Sequence, residues 1–440
     1  MTAAKTKTVP DIVVTLDLGA SRTKAIAQQL GNAAPIVVSM EPELADISSE
    51  SVRDLNSEGI PENSCWVEVP GVDHFAVGYL ARARFGGISQ LRDLKYELAV
   101  PKITGVLWVL QQKLGLAARF SASMSLLLPP GEVSQHDKAL LLSKLAACLA
   151  KFDTPSGQLR VKIVDFELMP EGGGVFGYRI GHLGADYKQK TIALVMLGYR
   201  NASCFVCDRG NLRPGTSSDL GMFWMVNNFV GRAKGGLSRD DLQVVQALVA
   251  AGGANGNLEV LQGLSRKRSV NDIRLDGEAF AAAARISRDE YARAVVRWIK
   301  SLAPAELDEA ILTGGTAEYV APELEAYFAK EGITVIWNGG VMVSPDLLAG
   351  ESLSRYADAW SVHAKSFARF SAKYKIPTFS NPTPSVADNK ASNVAVNDSP
   401  ERSDVSDSNN TSTSNNGNSA KKQITKYVRP KDFIEMPDKL

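Results

Sequence analysis

The residues best suited to chemistry lie together near the start of the chain: Asp17, Gly19, Ala20, Ser21, Arg22, Thr23 and Lys24. Asp17 closes the apolar, β-branched run Ile12–Leu16, which has the character of a strand buried on both faces. Gly19, Ala20 and Ser21 carry almost no side-chain bulk, so their backbone N–H groups can approach an anion closely. Lys24 opens a second strand-like run, and a hairpin would bring it beside Asp17. An acid for hydrated Mg²⁺, a loop of bare N–H groups and a cation for phosphate oxygens are what a nucleoside triphosphate needs. Taken alone, the spacing Asp-x-Gly-x-x-x-x-Lys also fits an ordinary glycine-turn hairpin with two solvated charges.

Two further segments narrow the choice. The run Ala193–Ser203 (ALVMLGYRNAS) repeats the first pattern, with Met196-Leu197-Gly198 aligned on Asp17-Leu18-Gly19. This weak internal duplication offers a second glycine turn, where Asn201 and Ser203 can hydrogen-bond a phosphate. The third segment, Ile311–Thr316, reads as a strand, the pair Gly314-Gly315 and a helix start at Thr316. Such a turn lets a flat base lie against backbone, with helix N–H groups nearby. Glu171, beside Gly172-Gly173-Gly174, reads from its neighbours as a solvent-exposed turn residue. Neither the P-loop pattern nor the Rossmann Gly-x-Gly-x-x-Gly is present.

The elements that must position these residues alternate between strand and helix, which indicates an α/β protein. Strands are expected at Ile12–Asp17, Lys24–Leu30, Ile36–Val38, Ser121–Leu128, Gln158–Met169, Gly174–Ile180, Thr191–Gly198, Glu309–Thr313 and Ile333–Trp337. Trp66–Val69 and Phe75–Val77 read as a hairpin around Gly71, and Glu41–Ser64 as loop. Helical spacing marks Lys102–Leu114, Glu132–Phe152, Asp219–Val230, Ser238–Ala251, Arg285–Leu302 and Ala317–Lys330.

A chain of 440 residues exceeds one typical core, so two domains are expected, over 10–180 and 181–375. From 376 to 420 the sequence is dominated by Ser, Asn, Asp and Thr and cannot bury enough apolar surface to offset its ordering entropy, so it reads as a disordered linker. The last stretch, 421–440, turns basic and apolar, as a short docking motif would. The net charge of +1 lacks the footprint of a nucleic-acid binder, so DNA would be reached only indirectly. The polar N-terminus and the lack of any run near the ~20 apolar residues of a membrane span point to the cytoplasm. Cys204 and Cys207 lie three apart on an expected strand, face opposite sides and suit a structural role better than shared metal ligation. The four histidines are scattered without ligand spacing.

Strand–phosphate turn, strand–phosphate turn, then strand–Gly-Gly–helix, in this order, resembles the actin/Hsp70/sugar-kinase ATPase superfamily. Within it the chain looks most like the bacterial actin-like proteins of the ParM (plasmid segregation) type. Asp17-x-Gly19-x-x-x-x-Lys24 matches that family's first phosphate motif and Met169-Pro170-Glu171 its Met-Pro-Glu segment. Gly314-Gly315 matches its adenosine motif, and Arg355–Ala359 the stretch that follows; the likeness spans roughly residues 10–370. The resemblance implies an actin-like ATPase fold, two related domains around a nucleotide cleft, holding ATP (or GTP) and Mg²⁺. Asp17 would hold the metal, Glu171 would orient the attacking water, and Gly198, Asn201 and Thr316 would line the nucleotide. It further implies self-assembly into filaments and movement of plasmid DNA through a separate adaptor, bound through the tail. One departure stands out: Met196 occupies the usual aspartate of the second phosphate motif, which implies slowed hydrolysis. The alternatives are a nucleotide-binding scaffold without turnover, a filament tied by its tail to an adaptor or membrane, and a small-molecule kinase, for which no convincing catalytic aspartate is found.

Overall fold

A computed structural model describes residues 9–31, 34–55, 59–89, 94–252, 257–348 and 350–376, which belong to one compact unit. Except for Ile376, the expected linker over 376–420 lies outside the described residues, as does the whole docking motif over 421–440.

Two mixed sheets form the frame. The first contains β1 (Ile12–Leu18), β2 (Thr23–Gln29) and β3 (Ile36–Met40). A separate three-stranded sheet, β4 (Leu44–Ile47), β5 (Trp66–Val69) and β6 (Asp73–Val77), then intervenes. The chain returns to the first sheet with β7 (Arg119–Leu128), β8 (Phe152–Thr154) and β9 (Gly157–Pro170), in the order β3-β2-β1-β7-β9-β8. The second sheet contains β10 (Thr191–Leu197), β11 (Ala202–Asp208), β12 (Asn211–Leu212), β13 (Thr216–Ser218), β14 (Glu309–Thr313) and β15 (Thr334–Trp337). Its order is β12-β11-β10-β14-β15, with β13 on β11.

The two sheets share a plan. In each, an antiparallel hairpin is followed by a strand parallel to the hairpin's first member, β7 beside β1 and β14 beside β10. The hairpin registers superpose the duplicated motif. Asp17 lies opposite Lys24 in the first, and Met196 lies opposite Ser203 in the second. The charged pair of the first half is thus replaced, position for position, by an uncharged one.

Every residue of β1 is buried, because helix Ala99–Leu114 packs against this sheet and helix Ala357–Tyr374 lies against β1, β2 and β7. The second of these follows all the strands of the second sheet in sequence, so the chain ends its described course back on the first sheet. Helix Gly173–Leu183 packs against it, and both contribute to an apolar cluster containing Ile26 and Leu127 of the first sheet and Ile192, Leu194 and Ile311 of the second. The approach is close: a Cβ at Gly174 would stand 2.5 Å from the Asp358 carbonyl oxygen.

Two local expectations are corrected. Gly174–Ile180, expected as a strand, lies in helix Gly173–Leu183. The Asp358 carboxylate accepts hydrogen bonds from the N–H groups of Gly172 (2.7 Å) and Val175 (3.0 Å), satisfying donors that a helix start leaves open. That cap comes from a residue far along the chain, and it overrides the local β preference of Val175, Phe176, Tyr178 and Ile180. Burial pushes the Asp358 carboxyl up to about 6. Glu41–Ser64, expected as loop, contains β4 and helix Ser49–Arg53, whose start is capped by the Ser48 hydroxyl.

The crossing of the two helices makes a specific demand. Gly174→Ala should cost about 1–3 kcal/mol in urea unfolding, as overpacking does. Gly131→Ala, where nothing lies within 4 Å of the added carbon, should stay within about 0.5 kcal/mol.

Candidate functional site

The β1–β2 hairpin brings Asp17 and Lys24 together at 2.6 Å, both almost fully buried. Lys24 also donates to the Arg355 carbonyl at 2.6 Å and lies over the Tyr356 ring. A Cβ at Gly19 would stand 2.7 Å from the Arg22 carbonyl oxygen, so the tight turn between the strands requires glycine.

A second lysine completes the charge pattern. Lys95, in the segment before helix Ala99–Leu114, places its ammonium 3.6 Å from Asp17 Oδ1 and donates to Glu171 Oε1. Glu171 follows β9 and is only 6% exposed, which removes the solvated-turn reading. Burial alone would raise the Asp17 pKa, but the ammonium groups of Lys24 and Lys95 outweigh it and hold the carboxyl below its ordinary value. For Glu171 burial wins, with the Asp17 charge acting in the same direction, and its pKa is raised despite Lys95. Burial works against the Lys95 charge, yet Glu171 and Asp17 lift its pKa above that of a free lysine.

The other two turns are joined to each other. Thr316 Oγ1 donates to the Gly198 carbonyl at 2.8 Å, and the Gly198 N–H donates to the Asn201 carbonyl at 2.9 Å. Gly314 has φ +94°, and a Cβ there would stand 2.3 Å from the Leu197 carbonyl oxygen. Beneath this turn Thr313 donates to Asn338, which donates to Ser354, while the Gly314 N–H donates to the Ser354 carbonyl. Arg355 passes over Gly315, pairs with Glu351 at 2.6 Å and reaches Ser21 Oγ at 3.5 Å, tying the third turn to the first.

The three turns, with Asp17, Lys24, Lys95, Glu171 and Arg355, face one cavity of about 480 Å³, within the range of small-molecule sites. Its wall includes Asp17, Gly19, Ala20, Ser21, Arg22, Lys24, Glu171, Gly198, Asn201, Gly314, Gly315 and Thr316. Thr23 and Ser203 are the sequence candidates that are not part of that wall; both are buried. Lys95 and Arg200 were missed, and Arg355 was noted only within a family-like stretch; none stands in a spacing that signals chemistry. The apolar wall of Leu242, Val245, Val249 and Ala250, on helix Leu242–Gly252, was missed for the same reason. Cys204 and Cys207 are buried, unbridged strand residues, as expected.

The donor set fits a nucleotide with a hydrated metal. Asn201 Oδ1 is buried without a hydrogen-bond partner at the cavity wall. Asp17 and Glu171 converge on a single cationic group, Lys95, which is a position where a divalent ion would find two carboxylates. Among the described residues no cluster of three or more His, Cys, Asp or Glu could form an all-protein cage. No helix among the described residues is long and apolar enough to cross a membrane.

No protein-family model matches the sequence, and no curated protein matches it. Solved structures do. Ta0583, an archaeal actin homologue, is 15% identical with a TM-score of 0.51, over 81% of this chain and 99% of that one. Its complex with ADP is 14% identical with a TM-score of 0.50, over 80% and 98%. The Alp12 filament structure is 14% identical with a TM-score of 0.50, over 82% and 99%. Likeness at this level of identity establishes the fold: the chain has an actin-like α/β fold, as the sequence resemblance implied.

Replacing Lys95 tests the electrostatics. Lys95→Met leaves two buried carboxylates facing each other and should destabilise the protein by about 3–5 kcal/mol near neutral pH. Without the lysine the Glu171 pKa, already raised by burial, rises further, so the folded state holds a proton that the unfolded state releases, and stability falls as pH rises through it. The loss in urea unfolding should therefore be larger at about pH 8 than at about pH 5.

Proposed function

We propose that the protein binds a nucleoside triphosphate with Mg²⁺ in this cavity and assembles into filaments under its control, as an actin-like protein of the ParM (plasmid segregation) type. The observation that carries the reading is the convergence of both glycine hairpin turns and the Gly314-Gly315 turn on one cavity, with Asp17, Lys24 and Glu171 at its base. The fold supports it, as does the ADP held by the archaeal actin homologue in its own structure. The filament form of Alp12 supports the assembly part, since repeated head-to-tail contact between two ends of one subunit generates a filament.

In this reading the N–H groups of the Gly19 and Gly198 turns and the Lys24 ammonium hold the phosphates, and Asp17 holds the hydrated metal. The metal neutralises charge on the phosphate oxygens when bound. Lys95 would stay paired with Glu171, and the Glu171 carboxylate would orient a water at the terminal phosphate. Burial raises its pKa, which makes it a stronger base than an exposed carboxylate. The base lies between the Gly314-Gly315 backbone and the apolar helix Leu242–Gly252; ATP and GTP both fit this description. Plasmid DNA would be reached through an adaptor that binds the C-terminal tail, in the cytoplasm.

A specific observation favours a slower variant of the same reading. Met196 stands at the register position of Asp17 and faces the cavity, so the second turn supplies no carboxylate. Hydrolysis would be slow, and a scaffold that binds nucleotide without turnover is the limiting case.

Sedimentation of the purified chain without nucleotide, with ATP and with a non-hydrolysable analogue tests this, with phosphate release followed in parallel. Pelleting should require nucleotide and reverse as phosphate appears. Glu171→Gln should still pellet, with phosphate release slowed about 10²–10⁴-fold. Pelleting without any phosphate release would select the scaffold, and no pelleting in any condition would reject the filament.

A further inference from the structure

Glu171 sits outside both of the elements it joins, between the end of β9 and the start of helix Gly173–Leu183. Three successive glycines follow it, so local backbone preference does little to hold its position, and the anchoring has to come from elsewhere. Two hydrogen bonds supply it. The Glu171 N–H donates to the Leu128 carbonyl at the end of β7 at 2.7 Å. The next N–H, that of Gly172, donates to Asp358 Oδ2 at 2.7 Å. The peptide planes before and after the Glu171 Cα are each fixed in this way, one to the first sheet and the other to the last described helix.

Asp358 has features that a simple helix cap does not need. It is 5% exposed and has no ion pair among the described residues, and a buried carboxylate in that position is costly. A serine or an asparagine would cap a helix without the charge. Only a carboxylate offers two equivalent acceptor oxygens, and both are used here, since Oδ1 takes the Val175 N–H at 3.0 Å. The carboxylate is also wedged against the glycine run, where a Cβ at Gly174 would stand 2.9 Å from Oδ1. The residues just before it grip the cavity's other parts. The Ser354 carbonyl accepts from the Gly314 N–H, and the Arg355 carbonyl accepts from Lys24. Five residues, 354–358, therefore fix the third turn, the Lys24 ammonium and the Glu171 backbone together.

We propose that Asp358 is a positioning residue for Glu171: it holds the backbone that carries the Glu171 carboxylate, so that phosphate release depends on it and nucleotide affinity does not. The inference rests on the reading of Glu171 as the group that orients the attacking water. Glu171 lines the cavity and Asp358 does not, so Asp358 acts only through the residue it holds. A misplacement of about 1 Å in such a group can cost about 10²-fold in rate.

The test is phosphate release and ATP affinity of the full chain, with Mg²⁺, for the wild type, Asp358→Ala, Asp358→Asn, Glu171→Gln and the double variant Glu171→Gln with Asp358→Ala. Asp358→Ala should slow phosphate release about 10²-fold and leave ATP affinity within about threefold. Asp358→Asn keeps one acceptor oxygen and should lose only about tenfold. In the Glu171→Gln background, Asp358→Ala should cost no more than about twofold further, because the group it positions is already gone. A merely structural role would cost the same factor in both backgrounds, or would weaken ATP binding in step with the rate. Either result overturns the proposal, as does phosphate release from Asp358→Ala at the wild-type rate. Where Asp358→Ala does not fold, Asp358→Asn carries the same comparison in both backgrounds. A wild type that binds ATP without releasing phosphate, or Glu171→Gln as fast as wild type, would reject the role of Glu171 and that of Asp358 with it. That failure shows before position 358 is changed, and so differs from one confined to Asp358.

Discussion

The structure depends on keeping one carboxylate charged inside a protein. Asp17 ends the central strand of the first sheet, where neighbouring strands and two packed helices exclude most water. Its charge survives because two ammonium groups approach it, Lys24 across the hairpin and Lys95 from outside the sheet. Lys95 in turn brings in Glu171, at the start of the helix that crosses between the sheets. That start is fixed by Asp358, on the last described helix. Hairpin, crossing helix and final helix are therefore bound into one buried electrostatic chain, and any cation or anion entering the cavity has to exchange with its members.

The two halves of the molecule use the same plan differently. In the first hairpin the facing positions hold Asp17 and Lys24; in the second they hold Met196 and Ser203. The second turn is instead a backbone device, braced by Thr316 below and by the Gly314 contact with Leu197. Its charge comes from Arg200, which reaches across to Glu132 at the end of β7. One half thus supplies buried carboxylates and ammonium groups, and the other supplies shape and positive charge. Under the proposed function this division would favour binding over turnover.

What was legible in the sequence follows from where each constraint is local. Gly19, Gly314 and Gly315 could be read because a turn or a close approach leaves no room for a side chain, and that need is written at the position itself. The Asp17–Lys24 pair could be read because a tight hairpin fixes its own register. Lys95 could not, since no short spacing links it to the first turn; only the packing of a distant helix brings it there. The same holds for helix Gly173–Leu183, where a strand-like run becomes helical through a cap supplied from position 358. Thr23 is the converse, a residue inside the motif that ends up buried away from the cavity wall.

In the proposed function, Asp17 would accept a metal that arrives with a nucleotide in place of part of its contact with Lys95. The most direct measurement of this is the affinity of the full chain for ATP as a function of Mg²⁺, from chelator to excess. The account requires ATP to bind at least about tenfold more tightly with Mg²⁺ than in chelator. ATP affinity that is the same in both, or no binding in either, would contradict it.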